Sequence, residues 1–299
     1  MPELTVRHVT TYRYRHPVAF GEHRMMFRPM ESYDQRLLDI RVDIDPKPVD
    51  LRWIHDTFGN CVAIARFGEH SDQLRFESNV RLEHLPQNTP DFRMETYART
   101  YPFTYGPEEM PDLARSIERH YFDPDHEVDH WVRQFLDRDA ETPTGELLMT
   151  ITHAIKESFT YVHRYELGSQ DPITTLTSGR GTCRDFAVLM MEAVRALGLA
   201  ARFVSGYLYS PVEGGRFGGG NTHAWVQIYL PGAGWVEFDP TNGIIGNRDL
   251  IRVAVARDPR QAVPLYGTWV GSRSDSLGMT VEVEVRDVSD ESETSYAAE

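Results

Sequence analysis

Apolar and polar positions alternate with period two through about the first 85 residues. Leu4, Val6 and His8 alternate with Thr5 and Arg7, and Ile40, Val42 and Ile44 with Asp39, Arg41 and Asp43. Leu74, Phe76, Val80 and Leu82 keep the rhythm in "QLRFESNVRLEHL". The turn signals "DPKP" and "DTFGN" separate these runs, so the pattern predicts an antiparallel β-sandwich domain over 1–88. Pro86 and Pro90 in "LPQNTPDF" mark a linker. Helical periodicity follows at about 108–120, 124–138 and 144–158, with Asp123-Pro124 and Thr142-Pro143 as cap and first-turn pairs. A further helix is predicted at about 183–197, where Phe186, Leu189, Met190, Ala193, Val194 and Leu197 form one stripe and Gly198 ends it. The strand candidates "ARFVSGYLYS", "THAWVQIYL", "GWVEFDP", "LIRVAVARD" and "MTVEVEVRDV" come after it. Helices followed by consecutive strands predict an α+β core over 89–288, with a helical insertion at about 91–140. The acidic segment 289–299 is expected to be a disordered tail.

Composition narrows the function classes. The 299 residues are 40% hydrophobic and 25% charged, an ordinary globular composition. A net charge of −14 offers no basic stripe for phosphates and excludes a nucleic-acid partner. No apolar run approaches membrane-spanning length, so no membrane partner is expected. The N-terminus has no secretory-type apolar segment and predicts a cytoplasmic protein. The composition leaves the oligomeric state open.

The two cysteines, Cys61 and Cys183, sit in different settings, and each is read as a free thiol. Cys61 opens the strand "CVAIARF" and reads as a small core residue. Cys183 starts a predicted helix, whose positive end lowers a thiol pKa and favours a nucleophilic thiolate. Gly179 and Gly181 before it would give a tight turn and room for a substrate backbone. Forty residues on, His223 begins one strand, and Asp239 ends the next after the turn "PGAG". A hairpin makes these two cross-strand neighbours, so a carboxylate can orient an imidazole that serves as base to a thiol. "HEVDH", His126 to His130, formally matches a zinc-protease motif. It lacks a marked third ligand and reads as a solvated acidic helix start.

The stretches "GRGTCRDFA" and "NTHAWVQIYLPGAGWVEFDPTNG", in the order Cys–His–Asp, resemble the transglutaminase-like superfamily. "YRYRHPVAFGEHRMMFRP" and "DTFGN" are similar to the N-terminal β-rich region of its bacterial group, and "IRVAVARDPRQAVPLYGTW" to that group's C-terminal segment. The resemblance implies a papain-like core with a helix-borne cysteine against an antiparallel sheet. It implies Cys183 as nucleophile, His223 as general base and acid, and Asp239 as orienter, with Asp185 a structural partner. The Cys183 N–H would be the first oxyanion donor and Tyr161 the second, with Gly181 and Trp225 beside the substrate. Trp225 and its hairpin counterpart Trp235 also fit core or groove-wall positions. The calcium-site loops of animal transglutaminases have no counterpart here, so no metal or cofactor is implied. The expected chemistry is cleavage of an amide through a Cys183 thioester, as in peptide or isopeptide hydrolysis by a cysteine protease. Acyl transfer from protein glutamine to a small amine is the alternative, and a non-enzymatic peptide-binding module a third. In each case the partner is a peptide or protein.

Overall fold

The structure is a computed structural model that describes residues 2–85, 92–164, 168–210 and 222–288. The linker prolines and the acidic tail at 289–299 lie outside the described residues. Five strands open the chain: β1 (Glu3–Met25), β2 (Gln35–Asp45), β3 (Asp50–His55), β4 (Cys61–Arg66) and β5 (His70–His84). They are ordered β2-β5-β1-β4-β3 and all neighbouring pairs are antiparallel. The 23-residue β1 is the spine of this layer: its first half pairs with β5 and its end with β4, with the register shifting between Arg13 and Val18. The strands therefore share one hydrogen-bonded sheet rather than forming two separate ones.

A short antiparallel pair, β6 (Thr100–Tyr101) and β7 (Thr142–Pro143), brackets helices α1 (Met110–Ile117) and α2 (Glu127–Arg133). Asp123 caps this second helix from outside, its carboxylate accepting from the N–H groups of Glu127 and Val128. His126 has left-handed backbone, φ 56°, and precedes the helix instead of lying in it. The two histidines of "HEVDH" thus do not occupy successive turns of one helix. Helix α3 (Thr144–Ser158) leads into β8 (Thr160–Tyr161), then α4 (Pro172–Ser178), β9 (Arg180–Gly181) and α5 (Cys183–Ala196). The sequence pattern did not reveal α4, whose Thr-rich stretch is held by the Asp171 cap and Pro172 at its start.

Strands β10 (Ala201–Leu208), β11 (His223–Leu230), β12 (Gly234–Asp239), β13 (Ile244–Ile245) and β14 (Leu250–Ala256) form the core sheet, ordered β13-β12-β11-β10-β14. Helix α5 packs on β11 and β10 and is covered by α2, α3 and α4. It is buried nearly all round rather than along one stripe. Two charges in it, Glu192 and Arg195, are buried as an ion pair at 3.0 Å, and Arg119 closes on Glu192 at 2.9 Å. A charge can be buried at bearable cost only with such partners. Among the described residues no helix is long and apolar enough to cross a membrane.

The last two strands, β15 (Leu265–Val270) and β16 (Ser276–Asp287), do not join the core sheet. They pair with the free edge of β1, Leu4 opposite Asp287 and Met25 opposite Leu265, completing a seven-stranded sheet. The sequence-based division at 88/89 assigns them to the core. Alternation identifies a strand but not its partner, and this partner is 240 or more residues away.

Candidate active site

The site is built where α5 begins. Thr182 has extended backbone and ends the turn region, so Cys183 is the first helical residue. Asp185, at the third helical position, accepts from the Thr182 N–H at 2.8 Å and from its hydroxyl at 2.9 Å. This is a capping-box arrangement, and its signature T-x-x-D stands in the sequence. The same carboxylate accepts from Arg164 at 3.0 and 3.1 Å and from the Gln170 N–H at 2.6 Å. Asp185 thereby ties Arg164 and Gln170 to the helix start and its cap Thr182, in keeping with a structural role. Arg164 and Gln170 have no sequence signal, since only the fold brings their loop to Asp185.

In front of the helix, β8 and β9 form a two-residue parallel ladder in which Tyr161 is the register partner of Gly181. This places Tyr161 beside Cys183, close enough for the two groups to interact. Burial and the negative sulfur push the Tyr161 pKa up. Gly181 has a different reason from the one its sequence suggests. A Cβ there would lie 2.8 Å from the Asp185 Cβ and 3.1 Å from the Phe186 ring, so the space belongs to the helix's own first turn and not to a substrate. Gly179 is the left-handed residue, φ 62°, that ends α4. Gly181→Ala is expected to destabilise the fold by about 1–3 kcal/mol through overpacking and to slow Cys183 alkylation. Chemical denaturation and labelling of the same sample check both.

His223 and Asp239 come together through the β11–β12 hairpin. Its ladder runs from Leu230 opposite Gly234 to Val226 opposite Phe238, so the pair are diagonal rather than directly opposite. The His223 Nε2–H donates to Asp239 Oδ2 at 2.8 Å, and both side chains are fully buried. Asp239 also accepts from the Asn242 amide at 2.8 Å and the Thr241 N–H at 2.9 Å. Asn242 was not singled out from the sequence, although "DPTNG" marks the turn that returns it to the carboxylate. Burial pushes the Asp239 carboxyl up, but the His223 imidazolium and these donors hold it below the ordinary carboxylate range. Trp225 is fully buried, packed with Val204, Leu208, Leu250 and Val255, and stacks on His223 at 5.9 Å between centroids. It backs the imidazole from the core, the position its alternation also allowed, and does not lie beside a substrate. Trp235 carries the Arg202 guanidinium 4.2 Å above its ring, away from this pair.

The remaining ring nitrogen, His223 Nδ1, is buried with no hydrogen-bond partner of ordinary geometry, and Cys183 joins Asp239 in raising the His223 pKa. Burial pushes the Cys183 thiol up, yet the His223 imidazolium, with a smaller contribution from Arg184, holds it below the ordinary thiol range. Burial lowers His223, but Asp239 and the thiolate raise it to about 10. Both shifts favour the form with the proton on the imidazole and the charge on the sulfur. Cys61 is the internal contrast: burial raises its thiol despite Arg28. The N–H groups of Cys183 and Arg184, in the first turn, have no acceptor within the helix and are available to an anion. Among the described residues no group of histidine, cysteine and carboxylate side chains is placed to hold a metal ion.

The family model of the transglutaminase-like superfamily matches residues 130–240, which include the Cys183, His223 and Asp239 positions. The model of the bacterial transglutaminase-like N-terminal region matches residues 4–83. Together the two matches identify a transglutaminase-like core behind a bacterial transglutaminase-like N-terminal region. An uncharacterized protein of Mycobacterium tuberculosis is 27% identical over 93% of this chain and 91% of its own length. A protein-glutamine gamma-glutamyltransferase of Pseudomonas aeruginosa is 35% identical over 77 residues, covering 23% of this chain and 11% of that protein. The solved structure of a candidate cysteine protease from Cytophaga hutchinsonii superposes with a TM-score of 0.69 at 19% identity, covering 96% of this chain and 91% of the other. That likeness spans both layers, so the β-rich sheet and the papain-like core of this transglutaminase-like protein form a shared fold.

Proposed function

We propose that this transglutaminase-like protein is a thiol enzyme that cleaves peptide or isopeptide bonds through a Cys183 thioester. The observation that carries the reading is the buried Cys183–His223–Asp239 array, in which the neighbouring charges favour the thiolate and the imidazolium. The Cys183 thiolate attacks the amide carbonyl carbon, and the resulting oxyanion is met by the Cys183 N–H and the Tyr161 hydroxyl. As the C–N bond breaks, His223 gives its Nδ1 proton to the departing amine, and a thioester remains. Water then attacks the thioester while His223 takes its proton, and the sulfur leaves as thiolate. Asp239 keeps Nε2 protonated throughout, so that Nδ1 is the nitrogen that exchanges protons.

A second reading replaces water by a primary amine, which would make the reaction acyl transfer from protein glutamine. The local similarity to a protein-glutamine gamma-glutamyltransferase supports it. Intact-mass analysis of a peptide library incubated with and without a small amine tests both. Gains of water across a cleaved bond are expected from the wild type and none from Cys183→Ala. Amine adducts in place of cleavage would favour the second reading, and an unchanged library would reject both.

A further inference from the structure

The β-rich layer faces the site across a groove that the proposed chemistry leaves unused. Its cavity measures about 450 Å³, within the range of small-ligand sites of about 300–1,000 Å³. Arg184, next to Cys183, and Thr222, next to His223, line it on the core side. The opposite wall is the paired edge of β1 with β15 and β16 and is apolar and aromatic: Tyr12, Tyr14, Trp269, Met279 and Val281. The register sets Tyr12 opposite Met279 and Thr10 opposite Val281, so these side chains come from facing positions of one ladder. Tyr14 and Trp269 meet at 5.0 Å between ring centroids and are largely covered. Met279, by contrast, is 52% exposed at this wall. Met279 thus presents an accessible apolar surface to the groove, on the wall facing Arg184 and Thr222.

We propose that this groove is the specificity subsite for an aromatic or large aliphatic side chain of the substrate's acyl portion, within two residues of the carbonyl that Cys183 attacks. The inference rests on the thiol-enzyme reading. A contact with the acyl portion is made on binding and kept in the transition state of attack, so it raises kcat/KM for forming the thioester. It also gives the two C-terminal strands a role, since on the free edge of β1 they supply half the wall.

The test uses acetylated dipeptidyl chloromethyl ketones ending in Phe-Gly, Gly-Phe or Gly-Gly, with each inactivation rate divided by the rate of the same reagent with glutathione. Burying one phenyl group predicts an about 10- to 100-fold preference for a phenylalanine reagent over Gly-Gly. Met279→Trp, which fills the groove from an accessible position, is expected to abolish the preference, and Met279→Ala to reduce it several-fold. Iodoacetamide, too small to use the groove, should alkylate Cys183 equally fast in all three proteins. If iodoacetamide reacts fast but the phenylalanine reagents show no preference, or the preference survives both variants, the subsite is overturned. If iodoacetamide reacts no faster with Cys183 than with glutathione, the thiol-enzyme reading fails instead.

Discussion

His223→Ala is expected to cut amide turnover by about 10²–10⁴-fold, the range for loss of a positioned general acid–base group. It should also move the Cys183 thiol from below its ordinary pKa to above it. The direction follows from what remains: burial, which raises the thiol, is retained, whereas the imidazolium that outweighs it is gone. Alkylation by iodoacetamide at pH 7 should therefore slow, and the pH at which its rate is half-maximal should rise. The Cys183–His223 pair itself should add little to the pH dependence of stability between about 7 and 8 in the wild type. There the unfolded chain keeps one proton on the thiol and none on the imidazole, while the folded pair keeps one on the imidazole and none on the sulfur. The proton count is equal, so the pair adds no pH slope. Equilibrium unfolding at several pH values reads this directly.

Asp239→Asn is expected to lower turnover by about 10³–10⁴-fold, because an amide facing Nε2 favours the wrong imidazole tautomer. With Nε2 deprotonated to accept from the amide, Nδ1 carries the hydrogen and cannot take a proton from water in thioester hydrolysis. The raised His223 pKa should fall, since Asp239 is the largest contribution that raises it. Stability should drop by about 1–3 kcal/mol as buried donors lose a charged acceptor. The wild-type carboxylate has a folded pKa below its unfolded one. Its contribution is therefore complete above the ordinary carboxylate range and is lost as pH falls through the folded value. The variant should lack that acid-side loss. Denaturant titrations of both proteins from pH 7 down to pH 3 compare the slopes.

Local pattern carried much of this site. The apolar stripe and Gly198 placed α5, and the turn "PGAG" between two alternating runs implied the hairpin that joins His223 to Asp239. Cys183 at a helix start was legible for the same local reason. The remaining features depend on long-range packing. Tyr161 meets Cys183 only because a two-residue ladder forms with Gly181. Asn242 reaches Asp239 only after the β12 turn closes. Glycine at 181 suggested room for a substrate, but a sequence does not show which side chains will occupy such room; here Asp185 and Phe186 do. The alternation over 276–287 identified a strand, but its pairing with β1 is a contact between chain ends that periodicity cannot express. The same limit hid the groove, which gathers residues as far apart as Tyr12, Arg184 and Met279.

The central claim is that Cys183 is a thiolate held by His223, and the pH dependence of its alkylation measures this most directly. Intact protein would be treated with iodoacetamide from pH 4 to pH 10, with Cys183 and Cys61 quantified separately by peptide mass spectrometry. The account predicts a Cys183 rate that is already at its plateau by pH 7 and falls only well below the ordinary thiol range, while Cys61 labels slowly until high pH. A Cys183 rate that climbs through pH 9 in parallel with Cys61, and is the same in His223→Ala, would contradict it.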